Sequence, residues 1–156
     1  MVFCGIDLPA GPVLDQTEWN LRIAANLYWI QSIHDLLQPT VMVILGHAAP
    51  TTSQNAQFFS NLFTGVNSTN MTSTHFVYVY RNTFSETFQI IHGYDGLPNL
   101  DVVAVWGGHW PPMKLQIQVP YLEGVPSTGG EVMSEGSKVF VTINQKDWLS
   151  NLTQSP

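Results

Sequence analysis

The sequence predicts an α/β fold: a mixed β-sheet with helices on one face. Three observations lead there. A fully apolar run, Val41-Met42-Val43-Ile44-Leu45, stops at Gly46-His47 and leaves through Pro50. Runs of this kind read as strands covered on both faces. Before it lies a long stretch with apolar residues every three or four positions, a helix by periodicity. The order is strand, helix, strand, helix and then several strands, an α/β beginning with an antiparallel-rich end.

Residues 2–8 read as the first strand, ended by the turn composition Pro9-Ala10-Gly11-Pro12. The first helix is expected over 15–37. Asp15 and Glu18 have the spacing of a capping box, with Thr17 as an alternative cap. Its apolar stripe is Trp19, Ile23, Leu27, Ile30, Ile33 and Leu37. Arg22 and Asn26 sit one turn apart beside that stripe and read as a solvated flank, within reach of a neighbouring loop. His34 and Asp35 are expected at the surface, and Pro39 ends the helix. The apolar run at 41–45 follows, with Gly46 allowing a sharp turn and Pro50 forbidding continuation. His47 thus falls just past the carboxyl end of a buried strand, where layered α/β folds place their chemistry.

Thr51-Thr52-Ser53 is a helix-capping cluster, and 54–63 carries Phe58, Phe59, Leu62 and Phe63, a short amphipathic helix. The polar stretch 64–74 reads as a surface loop. Strands are expected at 76–80, 87–91 and 100–106, with turn chemistry at 93–99. The alternation at 114–119 marks a half-exposed strand. A Gly-, Pro- and Ser-rich connection over 120–137 leads to a strand at 138–143 that closes the sheet. The tail to Pro156 is expected to fray.

At 156 residues the chain suits one domain. Only 10% of residues are charged, against about a quarter in ordinary domains, while 44% are hydrophobic. The net charge is −6, and the basic residues are Arg22, Arg81, Lys114, Lys138 and Lys146. So few cations build no basic patch, which argues against nucleic acid and anionic membrane surfaces as partners. Cys4 is alone, so no intrachain disulfide forms. In its strand it reads as an inert small hydrophobe. No apolar run reaches the roughly 18 residues of a membrane span.

Sequons at Asn67, Asn70 and Asn151 lean toward a secreted or lumenal parent. The N-terminal residues lack a basic region and a long apolar core, so no signal peptide is expected. A chain opening directly inside a strand reads as one whose beginning lies elsewhere.

One family resemblance emerges from the order of motifs. It runs from Asp15, Glu18, Arg22, Asn26 and Trp29 on a helix, through Val43-Ile44-Leu45-Gly46-His47-Ala48-Ala49-Pro50 and Val77-Tyr78-Val79-Tyr80. It ends at Leu100-Asp101-Val102-Val103-Ala104-Val105-Trp106-Gly107-Gly108 with Trp110-Pro111-Pro112-Met113. This resembles the C-terminal half of calcineurin-like metallophosphoesterases, in an uncharacterised and apparently secreted branch. The likeness covers 1–119, with 120–156 as the loop, final strand and tail of the same domain.

The resemblance implies a β-sandwich flanked by helices, with two divalent metals at strand ends. These activate a bridging water for in-line attack on a phosphoester. His47 matches the family's lone histidine after a strand. Thr83 and Ser85 stand where further ligands are expected, and a hydroxyl is a poor ligand for a dication. The family's upstream Asp and Asn-His motifs have no counterpart here.

The reading is therefore a degenerate phosphoesterase-like domain acting as a non-catalytic binding or interaction module. A protein partner or self-association would cover the exposed sheet. No cofactor is expected for the isolated chain. Manganese, iron or zinc enters only if ligands come from elsewhere, making the chain a fragment of an active hydrolase. A rebuilt mononuclear site would draw on His47, His109 and Asp95, with His92 beside Asp95 as a further donor. A third reading is a carbohydrate binder lined by Trp106, Trp110 and Tyr121.

Overall fold

The computed structural model describes residues 1–8, 13–68, 71–82, 89–106, 114–118 and 140–144. Two compact units divide the chain, Met1–Gly108 and His109–Pro156. The first contains β1 (Val2–Gly5), α1 (Gln16–Leu37), β2 (Val41–Gly46), a 3-10 turn (Ser53–Asn55) running into α2 (Ala56–Val66), and β3 (His75–Asn82). It continues through β4 (Gln89–Ile91), a second 3-10 turn (Tyr94–Gly96) and β5 (Leu100–Trp106). The second unit contains β6 (Lys114–Gln118) and β7 (Phe140–Asn144).

Five strands form one sheet in the order β1-β2-β3-β5-β4. Neighbours among β1, β2, β3 and β5 pair in parallel, and β4 pairs antiparallel at the edge of β5. This is the expected α/β architecture with a mixed sheet. Because β1, β2 and β3 are adjacent in sequence order, right-handed crossovers put α1 and α2 on the same face. The core confirms it. Met42, Ile44, Phe76, Tyr78 and Val102 from alternate strand positions cluster with Trp19, Ile23 and Ile30 of α1 and Phe58, Phe59 and Leu62 of α2. The intervening residues Val41, Val43, Val77 and Val103 are buried as well. Burial on both faces explains why β2 reads as an unbroken apolar run.

The α1 helix starts as its sequence suggests. Asp15 Oδ1 accepts from the backbone N–H of Thr17 at 2.8 Å and of Glu18 at 3.1 Å. The reciprocal half of a capping box is missing, because the Glu18 carboxylate accepts instead from Arg22 at 2.7 Å. Gln38 closes the helix in the left-handed region at φ 41°, donating its N–H to the His34 carbonyl.

Two expectations for the helix face are corrected. The buried residues are Trp19, Ile23, Asn26, Ile30 and His34, while Leu37 is exposed. A strict 3.6-residue period carries the buried face from Ile30 to His34, one position off the apolar pattern. A polar partner at Thr74 lets the imidazole take that core position.

The α2 helix begins through its 3-10 turn, and Thr52 makes no side-chain cap bond. It runs on to Val66, beyond the expected end at 63, because Val66 is also buried. The expected closing strand corresponds to β7, which pairs antiparallel with β6 in a separate two-stranded sheet. Cross-strand pairing with the clean alternation of β6 satisfies it there, rather than an edge of the five-stranded sheet.

Candidate functional site

Gly46-His47-Ala48 leaves β2 at the carboxyl edge of the sheet, as the sequence indicates. The turn is held from the neighbouring strand. The Tyr78 hydroxyl donates to the Ala48 carbonyl at 2.6 Å, and both residues are fully buried. Burial pushes the Tyr78 phenol far above its ordinary value, so it stays a donor. The ring lies across Gly46, where an added Cβ would fall 2.9 Å from Tyr78 Cε2. His47 itself is exposed.

The carboxyl end of β1 is fastened to α1 nearby. Asn26 Nδ2 donates to the Asp7 carbonyl at 2.8 Å, and the Asp7 N–H donates back to Asn26 Oδ1 at 3.3 Å. Arg22 bridges the carboxylates of Asp7 and Glu18. The pair expected as a solvated flank is thus a clamp on the β1–α1 connection. Asn26 is buried because its amide satisfies two backbone groups of a loop that forms no ladder there.

Asp95 lies in the turn leading to the amino end of β5, at φ 55° between Gly93 and Gly96. It lines an open groove of about 550 Å³ along α2 with Pro50, Phe59, Ser60, Thr64 and Asn67. Of the candidate metal residues, His47 follows β2 and Asp95 stands in the turn before β5, while His109 lies outside the described residues. No group of three or more His, Cys, Asp or Glu able to hold a metal occurs among the described residues. Thr83, Ser85, Trp110, Tyr121, Asn70 and Asn151 lie outside the described residues, as does the side chain of Trp106. Asn67, the sequon asparagine inside them, is exposed at the end of α2.

A titratable cluster that sequence reading missed sits at the amino edge. Asp101 Oδ2 lies 3.1 Å from His75 Nε2 and 3.1 Å from His92 Nδ1, and Oδ1 accepts from the Gly93 N–H at 3.3 Å. Asp101 is 2% exposed. Burial pushes its carboxyl up, but the hydrogen bonds and charges of the two imidazoles outweigh burial and hold it below the usual value. The signal was a single carboxylate inside the otherwise apolar strand 100–106: buried acids need partners.

The exposed apolar residues gather elsewhere. Among the described residues β1 is the terminal strand of the sheet, and Phe3 on it is 64% exposed. Phe3 pairs with Val43, and Gly5 with Leu45, which is also exposed. On the other face Cys4 is buried, and burial pushes its thiol up while the indole N–H of Trp29 on α1, a residue 52% exposed, offsets part of that rise. Leu21, Tyr28 and Leu36 extend this exposed apolar character along α1.

Comparison with family models, with curated proteins and with solved structures finds no match to this chain. No helix among the described residues is long and apolar enough to cross a membrane.

Proposed function

We propose that this chain is a non-catalytic binding module on a phosphoesterase-like scaffold, and that its ligand is an extended apolar polypeptide segment added beside β1. The observation that carries this reading is that β1 is the terminal strand of its sheet among the described residues. Terminal strands are ordinarily blunted by charge, proline or a bulge, whereas Val2-Phe3-Cys4-Gly5 has no charged side chain and no proline. The Ile6 N–H bonds the Leu45 carbonyl. By strand alternation, the backbone groups of Phe3 and Gly5 then face outward, open to another strand. Aromatic side chains flank that edge on both faces, Phe3 on one and Trp29 on the other. Net charge of −6 favours a segment with basic flanks.

The test is titration with a lysine-flanked peptide of alternating valine and threonine, read by calorimetry beside light scattering of the free protein. Saturable binding that Phe3→Lys abolishes, with the fold retained by circular dichroism, is expected. A monomer that ignores the peptide overturns the reading. A dimer dispersed by Phe3→Lys makes a second copy the occupant instead. The hydrolase alternative is read separately: melting with equimolar zinc or manganese, and p-nitrophenyl phosphate turnover, are both expected to show no effect.

A further inference from the structure

We infer that His34 is a buried proton switch at the last turn of α1, in which proton uptake at Nδ1 turns an unfavourable contact with Asp35 into an ion pair. Hydrogen-bond accounting fixes the starting state. The Thr74 hydroxyl donates its one proton to the Pro39 carbonyl at 2.6 Å. His34 Nε2 lies 3.0 Å from that same hydroxyl oxygen. The oxygen can then only accept, so Nε2 carries the imidazole proton and Nδ1 is a bare lone pair. The side chain is 1% exposed, and Nδ1 has no hydrogen-bond partner.

Its neighbour is Asp35 Oδ1 at 3.5 Å, a second lone-pair bearer. Two acceptors facing each other repel; one added proton makes them donor and acceptor. The partners on the other packed elements are uncharged. Thr74 and Pro39 supply the hydroxyl and carbonyl, and the Phe76 ring of β3 stacks on the imidazole at 6.2 Å. His75, next along the chain, is engaged with Asp101. Among the described residues, Asp35 is the ionisable group within ion-pairing reach of His34. The carboxyl end of α1 adds a negative dipole that favours the imidazolium.

The test compares the melting temperatures of the wild type and Asp35→Asn at about pH 8 and about pH 5. The bond from Gln31 to Asp35 Oδ1 is common to both conditions and cancels in the comparison. Asp35→Asn is expected to be more favourable at the higher pH than at the lower one, by about 2–4 °C. This dependence should vanish in a His34→Gln background. An equal effect at both pH values overturns the inference. Should His34→Gln fail to fold, two-bond ¹H–¹⁵N spectra of the wild type decide. Expected are an Nε2–H tautomer at the higher pH and Nδ1 protonation at the lower; an Nδ1–H tautomer at the higher pH refutes the switch.

Discussion

Adding one methyl group at Gly46 tests how the carboxyl edge of β2 is built. A glycine-to-alanine change at a permissive backbone position normally stabilises by about 0.4–1 kcal/mol, through the unfolded chain. Gly46 has ordinary rather than left-handed backbone, so that gain is available. The new Cβ, however, falls 2.9 Å from Cε2 and 3.0 Å from Cζ of Tyr78. That ring has little room to yield. It packs edge-on to Phe59 at 5.1 Å, stacks with Tyr80 at 6.0 Å, and is tethered by its hydroxyl to Ala48. Overpacking against such a neighbour costs about 1–3 kcal/mol.

With the ring held on three sides, the upper part of that range applies. The net loss is about 2 kcal/mol, or roughly 4–8 °C in Tm for a chain of this size. Urea unfolding followed by tryptophan fluorescence should show a lower midpoint at unchanged slope. In a Tyr78→Leu background the added methyl group should cost little. If Gly46→Ala is neutral or stabilising in the wild type, the account of the ring as a fixed lid over this turn is wrong.

Asn26→Ala strands the Asp7 carbonyl and N–H in a partly buried loop and should destabilise by about 1–3 kcal/mol in denaturant unfolding. Arg22→Ala removes only exposed ion pairs and should stay within about 1 kcal/mol. Asp101→Asn tests the amino-edge cluster. Because the folded state holds this carboxyl below its unfolded value, its stabilisation is present above about pH 4 and is lost as pH falls further. The variant should therefore be less stable than wild type at pH 7, with the gap narrowing below about pH 4 in acid titrations followed by circular dichroism.

Much of the fold was legible because burial imposes periodicity. The both-sided burial of β2 wrote an apolar run, α1 kept its helical spacing, and 100–106 matched β5 residue for residue. What was illegible depended on partners distant in sequence. His34 looked like a surface residue because nothing local shows that Thr74 comes to meet it. Asn26 looked solvated because the loop it satisfies belongs to the preceding connection. Asp101 was read only as one position of a strand motif, not as a site, because its imidazoles come from β3 and from the end of β4. At the carboxyl edge, sequence reading located His47 correctly past its strand. The terminal position of β1 among the described strands had no sequence signature: an edge strand and a covered strand of four residues are written alike.

The short arm carrying β4 would ordinarily be free to peel away from its sheet. Here, lifting it withdraws His92 and the Gly93 amide together and leaves an ionised carboxylate facing a single imidazole in the interior. The backbone amides of β4 should accordingly exchange their hydrogens with solvent on the slow clock of the whole domain rather than the fast one of a fraying margin.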